Sequence, residues 1–206
     1  MTSVDNVREL DIYDFDKTMI PFDSGSKFCI FCFLHYPKTM LYIPLIVIAA
    51  FRYLFNRDLT SMKSDVFRFI KVIPVREAAK KFWDKYDKYV FDWAKKEKRE
   101  RYSVMISASP DFLLEEIAKR VEIDDYISTV HDKNGVIVGK NCHDSEKVRL
   151  FREKYGNPRV VNVYSDSLPN DKFIFSLGEN CFHIVKGERI PFRYEEMYNE
   201  QSASDV

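Results

Sequence analysis

Two aspartates stand two residues apart in Asp14-Phe15-Asp16-Lys17-Thr18, directly behind the short run Leu10-Asp11-Ile12-Tyr13. Side chains at i and i+2 of an extended segment point the same way, so both carboxylates face one small volume. Crowded acids repel each other and shift pKa, which makes the pair costly unless a cation or a proton lies between them. A strand running into a polar turn carries the same spacing. The pair therefore gains meaning only from what the rest of the chain brings to it. Three later segments offer candidates: Ser107 behind Val104-Met105-Ile106, Lys147 in Ser145-Glu146-Lys147, and Asp166-Ser167-Leu168-Pro169-Asn170-Asp171 behind Val160–Tyr164. Each taken alone reads equally well as a turn serine, a solvated lysine or loop acids.

The elements that must position these groups follow from hydrophobic periodicity. Residues 8–14 read as a buried strand. From 22 to 101 the pattern is helical throughout, with Val75, Ala79, Phe82, Tyr86, Tyr89/Val90 and Trp93 forming one apolar stripe at three- and four-residue steps. Tyr102–Ile106 reads as a strand. Ser109 as N-cap and Pro110 as first helical residue predict a helix from 110 to 120. A hairpin-like stretch turning at Lys133-Asn134-Gly135 follows, then a helix from Ser145 to Lys154 that stops at Gly156-Asn157-Pro158. Strands are predicted at Arg159–Tyr164 and Cys181–Val185, and the polar tail 199–206 is expected to fray. Strands alternating with helices imply α/β architecture with a parallel, helix-covered sheet. The block 22–101 interrupts that alternation and reads as an inserted helical domain, leaving 1–21 and 102–206 as the core. In such a sheet the candidate residues converge at the carboxyl edge, where ligands bind.

Composition narrows the partners. With 206 residues, 46% hydrophobic and 31% charged, the chain can bury one good core or a core plus a small accessory domain. Formal net charge is zero, which gives no electrostatic case for nucleic acid. Charge is unevenly spread: between Lys27 and Lys81 ten Lys/Arg face three acids, a local excess of seven positive charges. Four cysteines without a paired framework, and no leader pattern before the first strand, predict a reducing, cytoplasmic setting. Cys29-x-x-Cys32 lies in an apolar run where free cysteine behaves as a small hydrophobe. The most hydrophobic stretch, 40–55, has two placements open to it. It reads as a buried cap helix, being shorter than the ~20 apolar residues of a membrane span, or as an interfacial helix whose basic flanks meet anionic headgroups at the inner face of a membrane.

Asp14–Thr18, Ile106-Ser107-Ala108-Ser109-Pro110, Lys147 and Tyr164–Asp171, in that order, resemble the four motifs of the haloacid dehalogenase (HAD) superfamily of phosphatases. The helical block falls where that family inserts its C1-type cap. The resemblance is nearest the phosphoserine-phosphatase-like branch, and Cys142-His143-Asp144-Ser145-Glu146-Lys147-Val148 with the apolar cap is similar to the phosphatidylglycerophosphatase C group. The resemblance implies a Rossmann-like core and a Mg²⁺-dependent phosphomonoester hydrolase working through an aspartyl-phosphate. Asp14 would be the nucleophile and Asp16 the acid/base. Asp14, Asp166 and the main-chain carbonyl of Asp16 would hold Mg²⁺. Ser107, Lys147 and Thr18 would serve the phosphate, Thr18 also fixing the loop after the nucleophile, with Asp171 and Ser167 in support. Two positions depart from the pattern. Lys17 replaces a small residue, and Asp23 stands where phosphoserine phosphatases place a substrate-binding Glu. A phosphorylated lipid is the expected substrate, with a soluble metabolite such as phosphoserine next. Phosphotransfer to an acceptor other than water, or a non-catalytic binding module, are the remaining readings.

Overall fold

The computed structural model describes residues 9–195. Residues 1–8 and 196–206, which include the tail expected to fray, lie outside the described residues. The chain runs β1 (Glu9–Tyr13), α1 (Ser24–His35), α2 (Ile43–Asn56), α3 (Leu59–Phe67), α4 (Val75–Tyr86), β2 (Tyr102–Pro110), α5 (Asp111–Arg120), β3 (Asp125–Thr129), α6 (Ser145–Tyr155), β4 (Arg159–Ser165), α7 (Lys172–Phe175), β5 (Gly178–Val185) and β6 (Glu188–Phe192). The strands form one sheet in the order β3-β2-β1-β4-β5-β6. All neighbours are parallel except β5 and β6. The fold is α/β with a parallel-dominated sheet and four consecutive helices between its first two strands.

Period-two alternation splits the core between the two faces of this sheet. On β1, Leu10 and Ile12 join Val104, Ile106, Phe151, Val163 and Phe175 beneath α6 and α7. Tyr13 points the other way, into a cluster with Phe28, Phe82, Trp83, Met105, Leu113 and Ile117. That second cluster joins α1 and α4 to α5. Trp83 is fully buried and donates its indole N–H to the Leu113 carbonyl at 3.0 Å, so the helical block is anchored on the sheet's own helix.

Three sequence expectations are corrected. The stripe over 75–93 is not one helix: α4 stops at Tyr86, and short 3₁₀ turns follow. The Phe91 amide donates to the Met19 carbonyl at 2.9 Å, and this tie to the loop behind β1 draws the segment extended. Helix α5 begins at Asp111, with no side-chain cap from Ser109, whose hydroxyl is used elsewhere. The stretch 40–55 is not buried. In α2 the inward face is Leu45, Ile46, Ala49 and Tyr53, with only Ala49 fully covered, while Val47, Phe51, Leu54 and Phe55 point outward, Phe55 at 75% exposure.

The turn at 132–136 forms largely as the sequence reads. The Asp132 carboxylate accepts from the Asn134 and Val136 amides, and Gly135 adopts φ +79°. A Cβ there would lie 2.1 Å from the Phe67 carbonyl oxygen, so only glycine lets this turn approach α3.

Candidate active site

Strands β1 and β4 are neighbours, but the chain leaves them toward opposite edges of the sheet. This is the switch point at which a parallel sheet opens a crevice. Asp14 is the first residue past β1 and extends the ladder, its amide donating to the Tyr164 carbonyl at 2.9 Å. Behind it the chain turns sharply, with Lys17 at φ +58°, a left-handed conformation costly for a side-chain-bearing residue. Asp14, Asp16, Ser107, Lys147, Asp166 and Asp171 all line one cleft of about 700 Å³, and Lys17, Asp23 and Ser167 stand around it.

Lys147, in the first turn of α6, is the hub. Its ammonium donates to Asp14 Oδ1 and Asp171 Oδ1, both at 2.7 Å, with the side chain 4% exposed. Burial works against the charge, but the two carboxylates more than offset it and hold Lys147 above the ordinary lysine value. The other oxygen of Asp171 accepts the Ser165 hydroxyl, so Asp171 orients the lysine. Two of the three ammonium protons are thus engaged and one remains for a ligand.

Burial lifts the Asp14 carboxyl to about 7, against the pull of Lys147 and helped by Asp171 and Asp166. Burial lifts Asp16 to about 6, with Asp23 adding to the rise. Asp166 is also raised, by burial and then by Asp171. The acids on this edge therefore ask for a cation. Among the described residues no three His, Cys, Asp or Glu side chains form a ready-made metal cage. The acidic groups lining the cleft include the carboxylates of Asp14, Asp16, Asp166 and Asp171, and oxygen donors of this kind suit Mg²⁺, which takes one or two carboxylates and leaves other positions to water and substrate.

Thr18 is the correction among the predicted site residues. It is fully buried and absent from the cleft wall. Its hydroxyl donates to Asp14 Oδ2 at 3.0 Å and accepts from the Asp166 amide at 2.9 Å, so it braces the loops behind β1 and β4 from behind the cleft wall, the loop-fixing part of its expected role. Asp23 lines the mouth, but its carboxylate also caps α1 by accepting from the Ser26 amide at 2.7 Å. Cys29 and Cys32 lie buried in α1 as free thiols, Cys29 pushed up to about 12 by burial.

Sequence reasoning missed Lys63 and Ser109. Lys63 reaches the cleft from α3 and donates to the Ala108 carbonyl at 2.9 Å and Asn141 Oδ1 at 3.3 Å. Burial lowers its pKa. The signal was there: Leu59, Met62, Lys63 and Val66 share one helical face, so Lys63 is a charge on an apolar stripe. Ser109 follows Ser107 at strand spacing, which places both serines on one side, yet Ser-Pro reads as a helix start.

The sequence pattern of the haloacid dehalogenase-like hydrolases matches residues 12–171, from β1 to the end of the Asp166–Asp171 loop. The chain belongs to this family. As a haloacid dehalogenase-like hydrolase it is an enzyme. No curated protein matches it. Solved structures show the same fold at low identity. A protein of unknown function from Bordetella pertussis Tohama I has a TM-score of 0.59 at 15% identity, covering 72% of this chain and 74% of that one. A HAD-family hydrolase from Salmonella enterica serovar Typhi has 0.54 at 11%, covering 76% and 56%. A phosphoserine phosphohydrolase-like protein from Francisella tularensis SCHU S4 has 0.50 at 14%, covering 88% and 90%.

Proposed function

We propose that this hydrolase cleaves phosphomonoesters through an aspartyl-phosphate on Asp14, with a lipid headgroup phosphate such as phosphatidylglycerophosphate as substrate. The observation that carries the reaction is the Asp14 carboxylate clamped by Lys147 at 2.7 Å on the cleft that Asp16 also faces. Asp14 attacks phosphorus as the ester P–O bond breaks, and Asp16 gives its proton to the departing oxygen. Asp16 then takes a proton from the water that hydrolyses the aspartyl-phosphate. Ser107 and the unused proton of Lys147 hold the phosphoryl oxygens. Mg²⁺, held by Asp14, Asp166 and the Asp16 carbonyl, would supply the positive charge that attack by an anion on an anion requires.

The lipid reading rests on the other wall of the cleft, where Ile30, Ile46, Leu59, Met62 and Val66 give an apolar side that a small polar metabolite does not need. Residues 22–101 act in this reading as a cap, and α2 as its membrane contact. With the preceding 3₁₀ turn, 37–56 make 20 residues, within which an 18-residue window has mean hydropathy 1.5 and is 11% buried, enough by length and composition to cross a bilayer. Yet α1 and α3, before and after it, send Phe28 and Phe67 into one cluster. A span would separate those helices, so in this reading α2 lies along the membrane surface rather than across it, and the proposed face is the cytoplasmic one.

The deciding experiment is turnover of lipid phosphates and soluble phosphate esters side by side, with and without Mg²⁺. The wild type should hydrolyse both with Mg²⁺ and prefer the lipid. Asp14→Asn should lower turnover of each by at least about a thousandfold. Activity surviving that change removes the mechanism, and preference for phosphoserine-like esters removes the lipid substrate.

A further inference from the structure

The Asp16 carboxylate is gripped from both sides of the cleft. The amide of Ser24, the first residue of α1, donates to Oδ1 at 2.8 Å. The hydroxyl of Ser109, near the end of β2, donates to Oδ2. The two serine oxygens are 3.0 Å apart, and both residues are buried. Because the Ser109 proton is directed at the carboxylate, its oxygen is left to accept from Ser24, giving an ordered chain from Ser24 to Ser109 to Asp16. The Ser109 amide, in turn, donates to Ser107 Oγ at 3.1 Å. One serine thus ties the acid/base carboxylate to the residue read as a phosphoryl ligand, and its partner sits at the head of the first cap helix.

We infer that Ser109 and Ser24 are positioning residues for Asp16, fixing its carboxyl so that the proton it carries meets the departing ester oxygen. The inference rests on the acid role of Asp16 proposed above. In the step concerned, Asp14 forms its bond to phosphorus, the ester P–O electron pair leaves with the oxygen, and the Asp16 proton goes to that oxygen. The serines keep their own protons throughout. Since Ser24 belongs to the helical block and Ser109 to the sheet, the posture of the acid depends on how α1 sits against β2.

The test compares kcat/KM for 4-nitrophenyl phosphate and ethyl phosphate in the presence of Mg²⁺. A nitrophenolate departs as a stable anion, whereas an ethoxide needs the proton. The kcat/KM ratio covers events only through departure of the leaving group, so later water attack does not mask the difference. Ser109→Ala should raise the aryl-to-alkyl ratio about tenfold or more, within the range general acids contribute. Ser109→Thr, which keeps the hydroxyl, should bring the ratio back toward wild type. In an Asp16→Asn background, which should raise the ratio itself, Ser109→Ala should add nothing. A ratio unchanged by Ser109→Ala but raised by Asp16→Asn overturns the serine clamp and leaves the acid standing. A ratio unchanged by Asp16→Asn overturns the acid and the clamp with it. Should Ser109→Ala fail to fold, Ser24→Pro, at a first helical position that accepts proline, removes the amide donor to Oδ1 and is read through the same ratio, with a rise expected and an unchanged ratio overturning the clamp.

Discussion

Lys147 is held between two buried carboxylates. Removing it leaves Asp14 and Asp171 buried without their cation. Breaking a buried ion pair from one side costs about 3–5 kcal/mol. Lys147→Met should therefore lower unfolding free energy in urea by that amount and abolish phosphatase activity; a variant as stable as wild type would show that the triad is not buried as described. The acids make a second prediction. Burial raises the Asp14 carboxyl above the ordinary aspartate value, so protons compete with the proposed Mg²⁺ as pH falls. Apparent Mg²⁺ affinity should thus fall as pH drops from 8 to 6, by up to about tenfold per unit. Calorimetry in buffers of different ionisation enthalpy should detect proton release on binding, and a pH-independent affinity would refute the assignment.

Element α2 is where sequence and structure diverge most. Its outward face carries Val47, Ile48, Phe51, Leu54 and Phe55, and cations sit at both ends: Lys71 lies 5.4 Å from the Tyr42 ring and Arg57 6.0 Å from the Tyr53 ring. Burying one large apolar side chain contributes about 1.5–3 kcal/mol, and the basic excess of this region suits an anionic surface. Phe51→Glu with Phe55→Glu should reduce co-sedimentation with phosphatidylglycerol vesicles at least tenfold and leave hydrolysis of a soluble aryl phosphate intact. Undiminished vesicle binding would exclude α2 as the contact. Neither residue lines the cleft, so the two readouts separate.

At the scale of the whole molecule, the helical block and the sheet share one aromatic cluster. Phe28 of α1 meets Phe82 of α4 with ring centroids 5.5 Å apart and Phe112 of α5 at 5.6 Å. Trp83 contacts Phe15, directly behind β1, at 5.7 Å. A block built this way does not melt apart from the core. Calorimetry should give one cooperative transition, and Trp83→Ala should lower stability by about 3–5 kcal/mol while keeping it single. Two resolved transitions in the wild type would contradict a shared core.

The sequence by itself carried the candidate site, because those residues obey local rules. Asp14 and Asp16 follow an apolar strand at strand spacing, Lys147 opens a helix with a clear glycine stop, and Asp166–Asp171 trail another strand. Alternating strands and helices were enough to imply the parallel sheet. Three assignments depended on distant partners and so had no local signature. Ser109 reads as a helix cap until β2 carries it beside Asp16 and α1 brings Ser24 to it. Thr18 reads both as a phosphate ligand and as a loop brace until β4 arrives and takes its hydroxyl. The apolar run at 40–55 reads equally as core or as an interfacial helix, because hydrophobicity measures what a residue avoids, not what covers it. Only the tertiary structure decided that the strongest apolar signal in the chain faces outward.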